Sequence, residues 1–166
     1  MTVYATTSPP TTYMPNAEDR EIPDSLIGVY NWSHELWNAQ NISRFLPFFY
    51  PAFFYVDHPT GHHVYTIPQM RTYASSVWNF SSDAKLVDRI YMKDNSTGTI
   101  LMTGIMNGTH DVSIVAPATG EVFEIPLAEV IVWDENKRVL GGDMYYDRLN
   151  FLEQLGKANW TVPENP

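Results

Sequence analysis

The residues best placed to do chemistry in this chain are carboxylates set inside otherwise apolar runs. Glu124 and Glu129 interrupt the run from Glu121 to Trp133, and Asp143 lies within Val139 to Tyr146. A carboxylate on a half-buried strand costs free energy unless it is paired, solvated or used. The two runs flank a tight charged turn, Asp134, Glu135, Asn136 and Lys137, so Glu129 and Asp143 fall on neighbouring strands. Two carboxylates meeting in an apolar pocket push their pKa values apart, one staying protonated as the acid. On that reading Asp143 is the principal acid/base group and Glu129 its partner. The alternative turns both outward or into an interface between copies, hydrogen-bonded and inert.

Histidines supply a second group. His58, His62 and His63 surround Pro59, Thr60 and Gly61, with Asp57 beside them. Such residues can carry protons, hydrogen-bond a substrate or ligate a metal. His62 and His63 diverge if the backbone is extended, which disfavours the metal. His58 is therefore taken as a catalytic candidate and His63 as a substrate contact. Tyr65, Tyr73, Trp78 and Tyr91 could line a cavity for a flat or polycyclic molecule, a phenol donating a hydrogen bond. Met102 joins them as adaptable lining. Asp147 reads instead as the cap of a following helix, and His110 with Asp111 as a surface pair.

These residues need elements to position them. Ser25 opens a helix in which Leu26, Ile27, Tyr30, His34, Leu36 and Trp37 recur at helical spacing. A short helix fits Ile42 to Phe48. A buried strand follows over Ala52 to Asp57, and the turn His58 to Gly61 closes it. Thr66 caps a helix from Ile67 to about Trp78, with Pro68 tolerated in its first turn. Three strand-like runs then come before the strand Val139 to Tyr146 and the last helix: Ala84 to Lys93, Thr97 to Ile114, and Glu121 to Trp133. Residues 1–22 read as a flexible arm, 23–157 as a single domain and 158–166 as a tail. Helices followed by a meander of long strands describe an α+β domain. Long antiparallel strands curling round a packed helix make a cone with a pocket near its open mouth.

Composition removes several functions. Ten Lys and Arg face nineteen Asp and Glu, a net charge of −9, and no basic stripe is present, so nucleic acid is not an expected partner. The chain has no cysteine, which excludes disulfides, thiolate nucleophiles and zinc–thiolate sites. No apolar run approaches a membrane span and no signal-peptide pattern opens the sequence, so a cytoplasmic location is expected, with no membrane partner. The Asn-X-Ser/Thr triplets, Asn31 among them, are accordingly read as chance. No phosphate loop, dinucleotide fingerprint or nucleophile elbow appears, and no cofactor is expected.

The order of helix, short helix, Tyr55 to Gly61, helix and strands ending in Asp147 to Gly156 resembles the SnoaL-like polyketide cyclases of the NTF2-like superfamily. The likeness runs over about residues 24–157 and is sharpest at Tyr145, Tyr146 and Asp147, at Gln154, Leu155 and Gly156, and at Thr119 and Gly120. It implies a curved antiparallel sheet wrapped around helices to form a conical cavity, and commonly a homodimer. It also implies a cofactor-independent acid/base enzyme acting on a hydrophobic polyketide- or terpenoid-like intermediate in secondary-metabolite biosynthesis. Cyclisation, isomerisation, dehydration and ring opening all lie within that range; the alternative is a non-catalytic ligand-binding or accessory protein. Counting back from Gln154, Leu155 and Gly156, the family's catalytic aspartate falls on Met144 and its histidine on Val130. The carboxylates Asp143 and Glu129 each stand one residue earlier, and a one-residue shift reverses the face a strand side chain occupies. Asp88 and Arg89 are adjacent and face opposite ways on a regular strand, which argues against the Asp-Arg-Asp arrangement of the superfamily's epoxide hydrolases.

Overall fold

A computed structural model describes residues 2–5, 23, 25–94, 96–113 and 117–157. Residues 6–22 of the expected arm and the expected tail 158–166 lie outside the described residues. Among the described residues, four helices pack on a seven-stranded sheet. The elements run β1 (Thr2–Ala5), α1 (Leu26–Asn38), α2 (Ile42–Phe45) continued by a 3₁₀ turn (Leu46–Phe48), β2 (Phe49–Asp57), β3 (His62–Val64), α3 (Ile67–Trp78), β4 (Lys85–Lys93), β5 (Thr99–Thr109), β6 (Val122–Trp133), β7 (Val139–Tyr146) and α4 (Arg148–Gln154). The sheet order is β1-β4-β5-β6-β7-β2-β3, antiparallel throughout except where β2 runs parallel to β7.

Local chemistry sets the helix boundaries. Ser25 and Thr66 accept hydrogen bonds from the third residue beyond, Gly28 and Gln69, as N-caps do. Asp147 does the same for Asn150, so it caps α4 as its position in the sequence predicts. Gly156, at φ +66°, takes the left-handed conformation that ends that helix. Two side-chain clamps then fix helices to the sheet. Asn38 accepts from the Leu86 N–H and donates to the Leu86 carbonyl, and Gln154 does likewise with Glu124.

Three departures from the sequence reading stand out. Thr2–Ala5, expected within the arm, pairs with Ile90–Lys93 as an edge strand; Thr, Val and Tyr are strong strand formers. His62–Val64 adds a three-residue strand across the turn from β2. At β4 the register slips between Val87 and Ile90, where Asp88 has φ +50°. This bulge leaves Asp88 exposed and turns Arg89 inward, where it donates to Glu35 of α1.

The strand phases decide what the cavity contains. On β6 the buried residues are Phe123, Ile125, Leu127, Ile131 and Trp133, every second position, and Glu129 falls in that phase. Leu127, Ile131 and Trp133 meet α1 and α3 in one core that also holds Leu36, Phe53, Met70 and Met102. A smaller cluster of Phe123, Ile125 and Leu155, with Phe80 and Phe151 against it, fills the end beneath α4.

Candidate functional site

Between α1, α3 and the concave face of the sheet lies a cavity of about 350 Å³. Its wall is mostly aromatic and aliphatic, and the polar side chains on it are few: Tyr30, Ser33 and His34 from α1, Tyr55 and Asp57 from β2, Thr60, His62, Tyr73 and Ser76 between β2 and the end of α3, and Glu129 and Tyr146 from β6 and β7.

One row across the sheet organises the carboxylates. Strand pairing sets Tyr91 opposite Met102, Met102 opposite Glu129, Glu129 opposite Met144, Met144 opposite Asp57, and Asp57 opposite His62. Residues directly opposite share a face, so all six project to the concave side. Tyr91 and Met102 are fully buried in the core, while Glu129, Met144, Asp57 and His62 line the cavity.

Glu129 is held by three donors. Its Oε2 accepts from the Tyr30 hydroxyl at 2.8 Å and from His34 Nε2 at 3.2 Å; its Oε1 accepts from the Tyr55 hydroxyl at 2.6 Å. Tyr30 and His34 are four apart on α1, which stacks them over the same spot. Tyr55 reaches the carboxylate because β7 offers only hydrogen beneath its ring. A Cβ on Gly142 would stand 2.9 Å from that ring and 2.5 Å from Ile131. Behind His34, Nδ1 stands 2.9 Å from the Tyr91 hydroxyl, which also reaches Asn31 Oδ1 at 3.3 Å.

The electrostatics follow from these bonds. Burial pushes the Glu129 pKa upward, but the hydrogen bonds from His34, Tyr55 and Tyr30 outweigh it and hold the group below its ordinary value of 4.5. Burial drives the His34 pKa below 6.5 despite the pull of Glu129 in the other direction. The resting pair is thus a carboxylate anion and a neutral imidazole. Burial, then the charge of Glu129, raises the phenols of Tyr30 and Tyr55 well above 10, so both remain donors.

Asp57 is the second carboxylate of the cavity and is 3% exposed. Its Oδ2 accepts from the Tyr73 hydroxyl at 2.9 Å and its Oδ1 from the Thr60 N–H at 3.2 Å.

The residues singled out from sequence divide sharply. Glu129 and Tyr73 line the cavity. Asp143 does not: it pairs opposite Val130 and Val56, one residue out of phase with Met144, and therefore projects from the other face. There it accepts from His58 Nε2 at 2.7 Å, with the His58 ring stacked 4.5 Å from that of Tyr145. The expected meeting of Asp143 with Glu129 is corrected accordingly, and His58 moves outside with Asp143. His63 and Tyr65 are exposed and bond each other at 3.1 Å rather than lining the cavity. Tyr91 supports His34 from behind, Met102 packs beside Glu129 in the core, and Trp78 sits behind Trp37, ring centres 5.8 Å apart. No group of three or more His, Asp and Glu is gathered to hold a metal among the described residues. Tyr30, His34 and Tyr55 are site residues that sequence reasoning passed over, and Asp57 and His62, noted beside His58 and His63, were not chosen. The spacing of Tyr30 and His34 on α1 was the visible signal.

No family model and no curated relative matches the chain. Solved structures do. A protein from Catenulispora acidiphila with a ketosteroid isomerase-like fold, in complex with trimethylamine, is 17% identical with a TM-score of 0.65, over 84% of this chain and 98% of that one. A candidate polyketide cyclase from Xanthomonas campestris is 13% identical with a TM-score of 0.70, over 78% and 96%. Another from Acidithiobacillus ferrooxidans is 21% identical with a TM-score of 0.63, over 81% and 97%. The chain has the NTF2-like, ketosteroid isomerase-like fold. Among the described residues no helix is long and apolar enough to cross a membrane.

Proposed function

We propose that this chain is a cofactor-independent proton-transfer enzyme acting on a hydrophobic, polyketide- or terpenoid-like small molecule, with Glu129 as its general base. The observation that carries the reading is Glu129 itself, a carboxylate anion set in the wall of an apolar cavity. Its Oε1 receives one donor from the described residues against two at Oε2, which leaves a lone pair for a substrate proton. Donors that depress its pKa also make it a weak base. Such a base suits a C–H already acidified by flanking carbonyls, as polyketide chains provide. The C–H proton passes to Oε1 and the bonding electrons move into the carbonyl as an enolate. Return of the proton at another carbon gives an isomerisation; attack of the enolate carbon on a second carbonyl, with the proton on Oε1 passed to the new alkoxide, gives a cyclisation. Tyr30, Tyr55 and His34 hold the carboxylate in place, and Tyr91 supports the imidazole from behind. The fold's neighbours named as candidate polyketide cyclases support this class of chemistry. A second copy of the chain, covering the outer face where Phe54, Ile90 and Tyr145 are exposed, belongs to the same proposal.

The test needs no native substrate. An aryl 1,3-diketone incubated in D₂O with the protein should exchange its central hydrogens faster than in buffer, followed by NMR. Glu129→Gln should remove about 10²–10⁴ of that acceleration. Exchange as fast in the variant as in the wild type would falsify the assignment. Binding of the diketone with no acceleration by the wild type would favour the non-catalytic ligand-binding reading.

A further inference from the structure

Among the described residues neither Lys nor Arg lines this cavity, and its imidazoles are His34 and His62. Two carboxylates line it, Glu129 and Asp57. Arg89 lies behind the wall, donating to Glu35, and Arg148 lies outside it, donating to the Pro59 carbonyl at 3.2 Å. Burial disfavours the charged form of His34.

Asp57 is the less satisfied of the two carboxylates. It is 3% exposed, yet from the described residues it receives only the Tyr73 hydroxyl and the Thr60 N–H, one at each oxygen. Among the described residues it forms no ion pair. Buried carboxylates ordinarily find a cation or a full set of donors, because desolvating the charge is costly. Rings surround the group as well. Tyr73 carries the bonding hydroxyl, Tyr55 lies 5.7 Å from Tyr73 and His62 lies 6.1 Å from it, ring centre to ring centre. Aromatic faces attract a desolvated cation.

We propose that the ligand of this cavity carries a protonated amine, and that the amine pairs with Asp57 against the rings of Tyr73 and Tyr55. The strand row gives the ligand a length. Asp57 and Glu129 are separated by one intervening strand, at Met144, so their backbones stand about 10 Å apart. On the reading of Glu129 as the base, the reacting carbon sits about that far from the ammonium. The net charge of −9 would draw such a cation toward the protein and repel carboxylate analogues. Asp57 also closes the turn through Thr60, a task asparagine performs equally well. Asp57→Asn therefore removes the charge and spares the turn.

Three probes of one shape provide the test: 2-naphthylmethylammonium, 2-naphthylmethanol and 2-naphthoate, titrated calorimetrically into the full chain at pH 7. The ammonium should bind at least about tenfold more tightly than the alcohol, and the carboxylate most weakly. In Asp57→Asn the ammonium and the alcohol should bind within about twofold of each other, and in Glu129→Gln the preference should persist. Equal or tighter binding of the alcohol by the wild type overturns the proposal, and so does a preference that survives in Asp57→Asn. The wild-type comparison stands whether or not the variant folds. Failure here is separable from failure at Glu129. Diketone exchange without charge preference removes only the amine, whereas charge preference without exchange removes only the catalytic base.

Discussion

Two carboxylate–imidazole pairs occupy opposite faces of the same sheet. Inside, His34 and Glu129 meet at 3.2 Å with side chains 7% and 13% exposed; outside, His58 and Asp143 meet at 2.7 Å with side chains 44% and 33% exposed. The outer contact is shorter, yet the inner one governs more free energy. Water screens the outer charges and replaces either partner at little cost. Nothing replaces Glu129 for the three buried groups that donate to it. Residue types and distance are therefore poor guides to which pair matters. Strand phase is the better guide.

The sharpest way to break this comparison is to delete each carboxylate in turn. Glu129→Leu strands Tyr30, Tyr55 and His34 with donors and no acceptor, and should cost about 3–5 kcal/mol. Asp143→Leu should cost at most about 1 kcal/mol. Urea unfolding of both variants, with slopes compared to the wild type, measures the difference. Similar losses at the two positions would mean that the faces have been assigned wrongly.

Acid should separate the faces next. Below 6.5 the unfolded chain protonates His34 while the folded chain resists, because burial lowers the pKa in the native state. More protons are then bound by the unfolded state, so stability falls as pH drops from about 6.5 toward the native value. Glu129 adds a second loss of the same sign. Its native pKa lies below 4.5, so its contribution is full above that pH and disappears as pH falls through the native value. Subtracting the stability–pH curve of His34→Gln from that of the wild type isolates the upper step. A difference that grows as pH falls toward about 6.5 would place a charged imidazole at Glu129, and a flat one would leave His34 unshifted; either outcome sinks the buried neutral ring.

Much of this arrangement could be read from the chain. The caps Ser25, Thr66 and Asp147 sit where their residue types announce them, whereas the sequence reading left Glu129 free to face the cavity or turn outward. The phase of β7 was not legible. Gly141 and Gly142 have no side chain to declare a face, and beyond them Asp143 with Tyr145 is as plausible an inward set as Met144 with Tyr146. The register change between Val132 and Trp133 settles the matter by pairing Met144, not Asp143, with Glu129. Tyr30 and His34 were visible as one face of α1, but only the tertiary fold brings a carboxylate on β6 to that face. Thr2–Ala5 depends on an open edge of β4, which local composition does not reveal.

The smallest effect expected is at Asp143 itself, and its smallness is informative. Asp143→Asn keeps the shape of the outer face and an acceptor for His58, and removes only a charge that water already screens. Diketone exchange in this variant should stay within about twofold of the wild type, against the far larger loss at Glu129. A second copy seated over Phe54, Ile90 and Tyr145 would lie close to this pair without engaging the cavity. Light scattering at micromolar concentration should accordingly give a dimer for both the wild type and Asp143→Asn, and Phe54→Asp should shift it toward monomer while exchange persists. A wild-type monomer leaves that face uncovered. A loss of exchange in Asp143→Asn comparable to that in Glu129→Gln would return the catalytic role to the outer face, against the phase of every buried residue on β6.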